Sequence, residues 1–314
     1  MGRYILKRLL ALPLLLLLVS IVVFLVLRLG QGDPALSYLR LSGIPPTDSA
    51  LQVVRLELGL DRPLPEQYLA WLQRAVHGDF GRSYVTTNPV LDDILYYLPN
   101  TLQLAAASLL VILLFSLPLG VLSALKKDSP LDHLTRAGSI LGVSVPNFWF
   151  GFVLVLLLAV GLHWLPPMGK GGLRHMIMPV LTMSLMSLAI NTRLIRANVL
   201  DNLFSRHVLF ARARRLPERT VIGRHVLVNA LVPILTALGM HAGELLGGAV
   251  IAESIFAWPG IGRYAVSAIY NRDYPVMQCF ILLMTTLFVT LNLVVDICNA
   301  WLDPRIRYSN RGQQ

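Results

Sequence analysis

Arg206–Pro233 reads RHVLFARARRLPERTVIGRHVLVNALVP. Between Asp201 and Leu227 six arginines (Arg206, Arg212, Arg214, Arg215, Arg219 and Arg224) stand against two acids, Asp201 and Glu218. Long apolar segments flank the stretch on both sides. A segment this charged cannot lie in hydrocarbon, and short loops rich in Lys and Arg stay on the cytoplasmic side. This polar insert therefore marks the chain as polytopic and gives it an orientation.

Composition agrees. The 314 residues are 55% hydrophobic and only 14% charged, too few charges for a soluble chain of this length. The net charge of +10 does not indicate nucleic acid. The basic residues cluster in short loops beside apolar runs, which is the positive-inside pattern. Cys279 and Cys298 fall in one apolar segment, about 28 Å apart along a helix axis, and cannot pair there.

Working outward, Leu9–Leu27 follows Arg3, Lys7 and Arg8 and is read as an uncleaved first span, with no small-residue cleavage site after it. Further spans are expected around Thr101–Leu125, Gly138–Leu162, Met176–Leu194, Leu231–Ile251 and Pro275–Leu293, each supplying the roughly 20 apolar residues a crossing requires. Six spans place the basic amino end, the Lys126–Arg136 loop, the opening loop and the tail Arg305–Arg311 on one side. Both termini are then cytoplasmic. Gln31–Asn100 faces the other side, with five arginines against eight acids. Within it Ser49–Leu58, Pro65–Val76 and Pro89–Leu98 have helical spacing, broken at Gly59–Asp61 and Gly78–Gly81. The expected divisions are a first span at 1–28, an extracytoplasmic helical insert at 29–100, a core at 101–300 containing the loop 201–230, and a cytoplasmic tail at 301–314. The insert reads either as a cap over the outer mouth or as packed decoration.

Catalysis has no foothold here. HExxH, the GxxxxGK[ST] phosphate loop and GxSxG are all absent. The chain is expected to be no enzyme, and any ATPase that drives it is another chain. Among the intramembrane ionisable residues are His241 and Glu244 in the fifth span and Asp296 at the end of the sixth.

ARARRL…RHVLVNALVP (Ala211–Pro233) resembles the cytoplasmic coupling motif of permease subunits of binding-protein-dependent ABC importers, dipeptide/oligopeptide/nickel class. Asp33–Arg40, Gly59–Tyr68, Gly78–Tyr84, Ser144–Trp149, Phe256–Ile269, Asn271–Val276 and Leu302–Arg307 resemble other signatures of that class. The likeness thus covers nearly the whole chain. It implies an all-α integral membrane protein with six transmembrane helices in the type I permease architecture, carrying a helical extracytoplasmic insert after the first span. It also implies a bacterial inner-membrane location and four kinds of partner: a second homologous permease, two cytoplasmic ATPase subunits, an extracytoplasmic binding protein, and membrane lipid. No cofactor is expected in this chain, ATP and Mg being bound by the ATPases.

By that resemblance Ala211, Arg212, Ala213, Arg214, Arg215, Leu216, Asn229 and Pro233 form the ATPase coupling element. Leu209, Phe210 and Leu216 would fill an apolar groove with the arginines on its rim. A bare lipid-headgroup contact is the competing role. The class usually has glycine where Arg215 stands. If a left-handed residue is needed there, arginine costs about 1 kcal/mol, and Pro217 would start the next helix. Trp258, Pro259 and Gly260 are expected at the outer gate, with Asp273 contacting the binding protein or partner permease.

For the cargo, His241 and Glu244 share one face of the fifth span, about 130° from the ridge Gly239, Gly243 and Gly247. The glycines would pack on a neighbouring helix, leaving the pair toward a pore. Imidazole plus carboxylate suits Ni²⁺, and Gly239–Glu244 resembles the nickel-permease branch. The pair is therefore expected to be a transient metal site, with Met240 and Asn191 beside the pathway and nickel or a nickel chelate as cargo. The alternative is the same machine carrying di- or oligopeptides, with the pair as polar glue. Met176, Met178, Met183 and Met186 read as adaptable packing, and His163 and His175 as interfacial. Arg193 and Arg196 are expected to snorkel to the interface. A lone ion-driven transporter would show inverted repeats, and a scaffold would need no such pair.

Overall fold

The computed structural model describes residues 2–30 and 32–302, the side chains of 2–9, 231–236, 238, 240, 242, 296 and 298–302 excepted. Most of the expected tail 301–314, and with it most of Leu302–Arg307, falls outside the described residues. These form helices α1 (Gly2–Leu29), α2 (Pro34–Leu41), α3 (Asp48–Glu57), α4 (Leu64–Val76), α5 (Val90–Leu125), α6 (Pro130–Ser144), α7 (Asn147–Leu154), α8 (Leu173–Leu203), α9 (Arg206–Ala213), α10 (Glu218–Thr220), α11 (Val228–Ile255), α12 (Ile261–Asn271) and α13 (Tyr274–Leu302). α7 and α10 run on as π-helical stretches, Val155–Gly161 and Val221–Leu227. Among the described residues the sole β pairing is an isolated bridge between Arg82 and Pro89.

Among the described residues four helices are long and apolar enough to cross a membrane: Leu10–Leu29 within α1, then α5, α8, and Tyr274–Val295 within α13. The expected span Gly138–Leu162 is not straight. α6 and α7 meet at a bend of 104°, because Val145 precedes Pro146 and is held extended at φ −89°, ψ 123°. α11, 28 residues long, contains the expected span Leu231–Ile251. The expected third helix of the insert is also corrected. Pro89–Leu98 forms the opening turns of α5, which continues through Pro99 for 36 residues. Proline there removes one ladder hydrogen bond without ending the helix.

The insert's helices follow their caps. Asp33 accepts from the Ala35 amide at 2.9 Å with Pro34 at the first helical position of α2, and Thr47 caps α3 through Ala50. The sequence reading lacked α2, although Asp-Pro was its signal.

The chain divides into two compact units. One comprises Leu102–Trp258 with residues 2–5 and 290–302; its core runs from Leu104 and Ile112 through Met178, Ile195 and Val208 to Phe256 and Trp258. Within it Asp132, fully buried, receives a two-pronged ion pair from Arg196 at 2.6 and 2.7 Å. Ser123 donates to the same carboxylate at 2.5 Å, and the Asp128 amide at 3.1 Å. Arg196 therefore ties α8 to the first turn of α6 instead of snorkelling.

The other unit comprises Leu6–Thr101 and Pro259–Val289. Val90 and Ile94 pack there with Ile261, Val276 and Cys279. α4 lies on α1, with Phe24 against Tyr68 and Trp71 at centroid distances of 5.4 and 6.1 Å and the Ser20 and Tyr68 hydroxyls 2.8 Å apart. Asp273 is buried, and its Oδ2 accepts from Ser83 Oγ at 2.6 Å and the Tyr84 amide at 2.9 Å. Burial pushes its carboxyl above the usual range against those hydrogen bonds. Asp273 thus pins the Ser83–Val85 loop and is covered, so it offers no surface to a binding protein.

Candidate functional site

The arginine-rich loop sorts its residues by face. Val208, Ala211, Val221 and Val226 are buried in the core of their unit, and half-buried Leu216 packs against that core. On the other side Leu209 and Phe210 are 54% and 66% exposed, and Arg212, Ala213, Arg214 and Arg215 are exposed with them. Ala211 and Leu216 therefore carry the element from beneath. The face available to a partner is Leu209, Phe210, Ala213 and the arginines.

Arg215 holds the turn with φ +55°. The Arg215 amide donates to Arg212 O at 2.8 Å and the Leu216 amide to Ala211 O at 3.3 Å, the paired bonds that end a helix on a left-handed residue. Pro217 is the residue before α10 and not its first helical position, with φ −54°. Arg212 bridges to Glu218 at 2.6 Å across this turn, both side chains being well exposed. Replacing Arg215 with glycine should stabilise the protein by about 1 kcal/mol by removing the left-handed strain. A thermal scan of the purified permease that shows no rise, or a fall, would contradict this.

Asn229 has a positioning role. Its Nδ2 donates to His225 O at 2.8 Å and lies 3.4 Å from His207 Nε2. His207 Nε2 is in turn 3.1 Å from His225 O. This latch fastens α9 to the start of α11. The Pro233 and Met240 side chains lie outside the described residues.

In α11 Glu244 Oε2 accepts from His241 Nδ1 at 2.8 Å, with His241 7% and Glu244 61% exposed. The pair is thus closed on itself on the histidine side. Gly239 leaves no room for a Cβ beside Val295 of α13, whereas Gly247 has nothing within 4 Å. The glycine ridge is therefore close-packed at its first member and open at its third.

Glu244 lines a cavity of about 260 Å³ between α7, α8 and α11, with Asn147, Thr182, Met183, Met186 and Ser187. Asn147 Oδ1 and Thr182 Oγ1 have no hydrogen-bond partner among the described residues. Met183 is core packing; Met186 is exposed. Asn191 is fully buried with both polar atoms unpartnered, so it does not line that cavity in this conformation. Among the described residues no three His, Cys, Asp or Glu side chains are grouped to hold a metal, and the nickel expectation gains no support from this site.

Just beyond the C-terminal end of α11 Trp258 is fully buried in the core and lines no opening of its unit. Ala257 before it has φ +50°, and the Trp258 amide donates to Glu253 O at 2.9 Å. Pro259 O accepts from Asn100 Nδ2 at 2.6 Å, and buried Gly260 precedes α12. Glu253, fully buried near the C-terminal end of α11, was missing from the sequence-based candidates. Its position in the apolar run of α11 was the available signal. His163 is spent locally, Nδ1 lying 3.1 Å from Ala159 O.

A family model described as "Binding-protein-dependent transport system inner membrane component" matches residues 116–308, and one for the N-terminal part of such membrane components matches 1–105. The chain belongs to this family. It is accordingly a multi-pass inner-membrane permease of an ABC importer, and such permeases work with ATPase and substrate-binding partners. It is 38% identical over 309 residues to the glutathione transport system permease protein GsiC of Escherichia coli (strain K12), covering 98% of this chain and 100% of that protein. The protein of the same name from Shigella dysenteriae serotype 1 (strain Sd197) matches to the same extent. Among solved structures, inward-facing MetNI methionine ABC transporter shares the fold, with a TM-score of 0.58 at 16% identity over 69% of this chain and 100% of that one.

Proposed function

We propose that this permease passes short peptides of about tripeptide size, and that His241 and Glu244 do not form a nickel site. The observation that carries the reading is the exposed Glu244 carboxylate on a cavity wall shared with an amide and two hydroxyls. A carboxylate suits a peptide's ammonium group. Asn147, Thr182 and Ser187 supply donors and acceptors for peptide bonds, and Met186 an adaptable apolar wall. The relatives named for glutathione, itself a tripeptide, support the same class. In this reading a second homologous permease, two ATPases that bind ATP and Mg, and an extracytoplasmic binding protein complete the machine. Both termini are cytoplasmic, and closure of the ATPases moves α9 and switches access to the cavity.

Reconstituted with its partners in liposomes, the permease should accumulate radiolabelled glutathione or a labelled tripeptide on ATP addition and should not accumulate radioactive nickel. Glu244→Gln should lower peptide uptake at least tenfold, about 1.4 kcal/mol, while the ATPases still co-purify. Nickel accumulation without peptide uptake would overturn the proposal.

A further inference from the structure

In the unit made of Leu6–Thr101 and Pro259–Val289, α1, α4 and α13 enclose an apolar groove of about 420 Å³. Leu16, Leu17, Trp71, Val76, Leu282 and Leu283 form its walls. Two of the three helices carry candidate membrane spans, so hydrocarbon is the medium this groove meets. Ser20 on its wall is already satisfied by Leu17 O and the Tyr68 hydroxyl. Trp71 is buried, yet its indole N–H has no acceptor among the described residues.

One turn away along α4, about 6 Å at 1.5 Å per residue, Gln67 belongs to a second recess, of about 500 Å³, with Arg28, Arg55 and Asp61. The aromatic stack joins the two: Arg28 lies 5.4 Å from the Phe24 ring, and Phe24 packs on Tyr68 and Trp71. Arg55 is taken by Asp33 at 2.7 Å. Arg28 and Asp61 make no ion pair among the described residues, and Arg28 Nη1 and Gln67 Oε1 are buried without partners. The polar recess thus offers one uncommitted cation and one uncommitted acid beside a mainly apolar groove whose one free donor is an indole N–H, the Ser20 and Thr286 hydroxyls on its wall donating to Leu17 O and Leu282 O.

We propose that the two recesses together hold one zwitterionic glycerophospholipid of the bilayer. Its phosphate pairs with Arg28 and its ammonium with Asp61. An ester carbonyl accepts from Trp71, and one acyl chain fills the groove. A peptide segment fits poorly, because the groove's few polar groups cannot satisfy the N–H and C=O that every residue of a backbone carries. A lipid needs nothing more than the indole donor. Bound there, it would fasten α4 of the insert to the spans α1 and α13.

The test uses the permease purified with its partner subunits. Native mass spectrometry after delipidation should show one phosphatidylethanolamine retained per chain. Arg28→Gln should weaken that retention at least tenfold, and Ala75→Phe, which fills the groove, should abolish it. Should either variant fail to insert, wild type and Trp71→Phe are compared in phosphatidylethanolamine with brominated acyl chains. Quenching is expected to remove a tryptophan component present in wild type and absent from Trp71→Phe. Equal retention of phosphatidylethanolamine and uncharged diacylglycerol, unchanged retention in Ala75→Phe, no quenching of Trp71, or a second copy of the chain occupying the groove without lipid would each overturn the proposal.

Discussion

Changing Phe210 to aspartate together with Arg214 to glutamate should abolish ATP-driven uptake and release the ATPase subunits, while the permease still inserts in the membrane. Phe210 of α9 and Arg214, which caps it, both lie on the face that the unit's core leaves uncovered. Phe210 is a large apolar surface at the end of a short helix, and Arg214 is an exposed cation at the same end. Buried aromatic and arginine anchors commonly cost about 2–4 kcal/mol each when lost from an interface. One such loss weakens binding by roughly 30- to 1,000-fold. Arg212 is a poorer choice. Its guanidinium is committed to Glu218 at 2.6 Å, so Arg212→Glu would set two acids against each other in the turn and confound docking with turn stability. ATPase co-purification at the wild-type level in the Phe210/Arg214 variant would leave this loop as a lipid-headgroup contact.

Local features were legible in the sequence, and distant pairings were not. The alternation of apolar runs and basic loops located the spans, because each signal lies within some 20 residues. The ends of α3 and α4 were read to within a residue or two from glycine and proline. The question of a left-handed residue at Arg215 arose from the glycine usual there in the class, and the chain does adopt φ +55° at that position. What failed was tertiary. Nothing near Arg196 announces Asp132, 64 positions earlier, and an arginine at the end of a span looks like any snorkelling arginine. Asp273 reads as an exposed loop acid until Ser83, 190 positions away, closes over it. Trp258 sits in a Pro-Gly turn, which argues for a surface, yet its ring fills the core. For the candidate site, helical spacing put His241 and Glu244 on one face and could not tell that the histidine would be buried against the carboxylate. The cavity's remaining residues come from α7 and α8 and share no pattern with α11. The cargo was therefore inferred from half of a site.

Removing Asp132 is expected to be the most destabilising single change outside the membrane-facing surfaces. Its carboxylate is fully buried, bonds Arg196 at 2.6 and 2.7 Å, and also satisfies Ser123 and the Asp128 amide. Asp132→Ala leaves the Arg196 guanidinium, 18% exposed, without its counter-charge, and breaking a buried pair from one side costs about 3–5 kcal/mol. The turn between α5 and α6 loses its anchor as well, because Asp132 is the group on which Asp128, at φ +62°, is fastened. Replacing both partners, Asp132→Leu with Arg196→Met, removes the stranded charge and should recover more than half of the loss, since apolar substitutes for buried pairs are often neutral. The comparison separates a buried pair from a decorative one. Thermal denaturation of the detergent-solubilised single and double variants should rank them wild type, double, then Asp132→Ala. A loss below about 1 kcal/mol in the single variant, the range of an exposed ion pair, would mean that the link between α6 and α8 does not depend on this carboxylate.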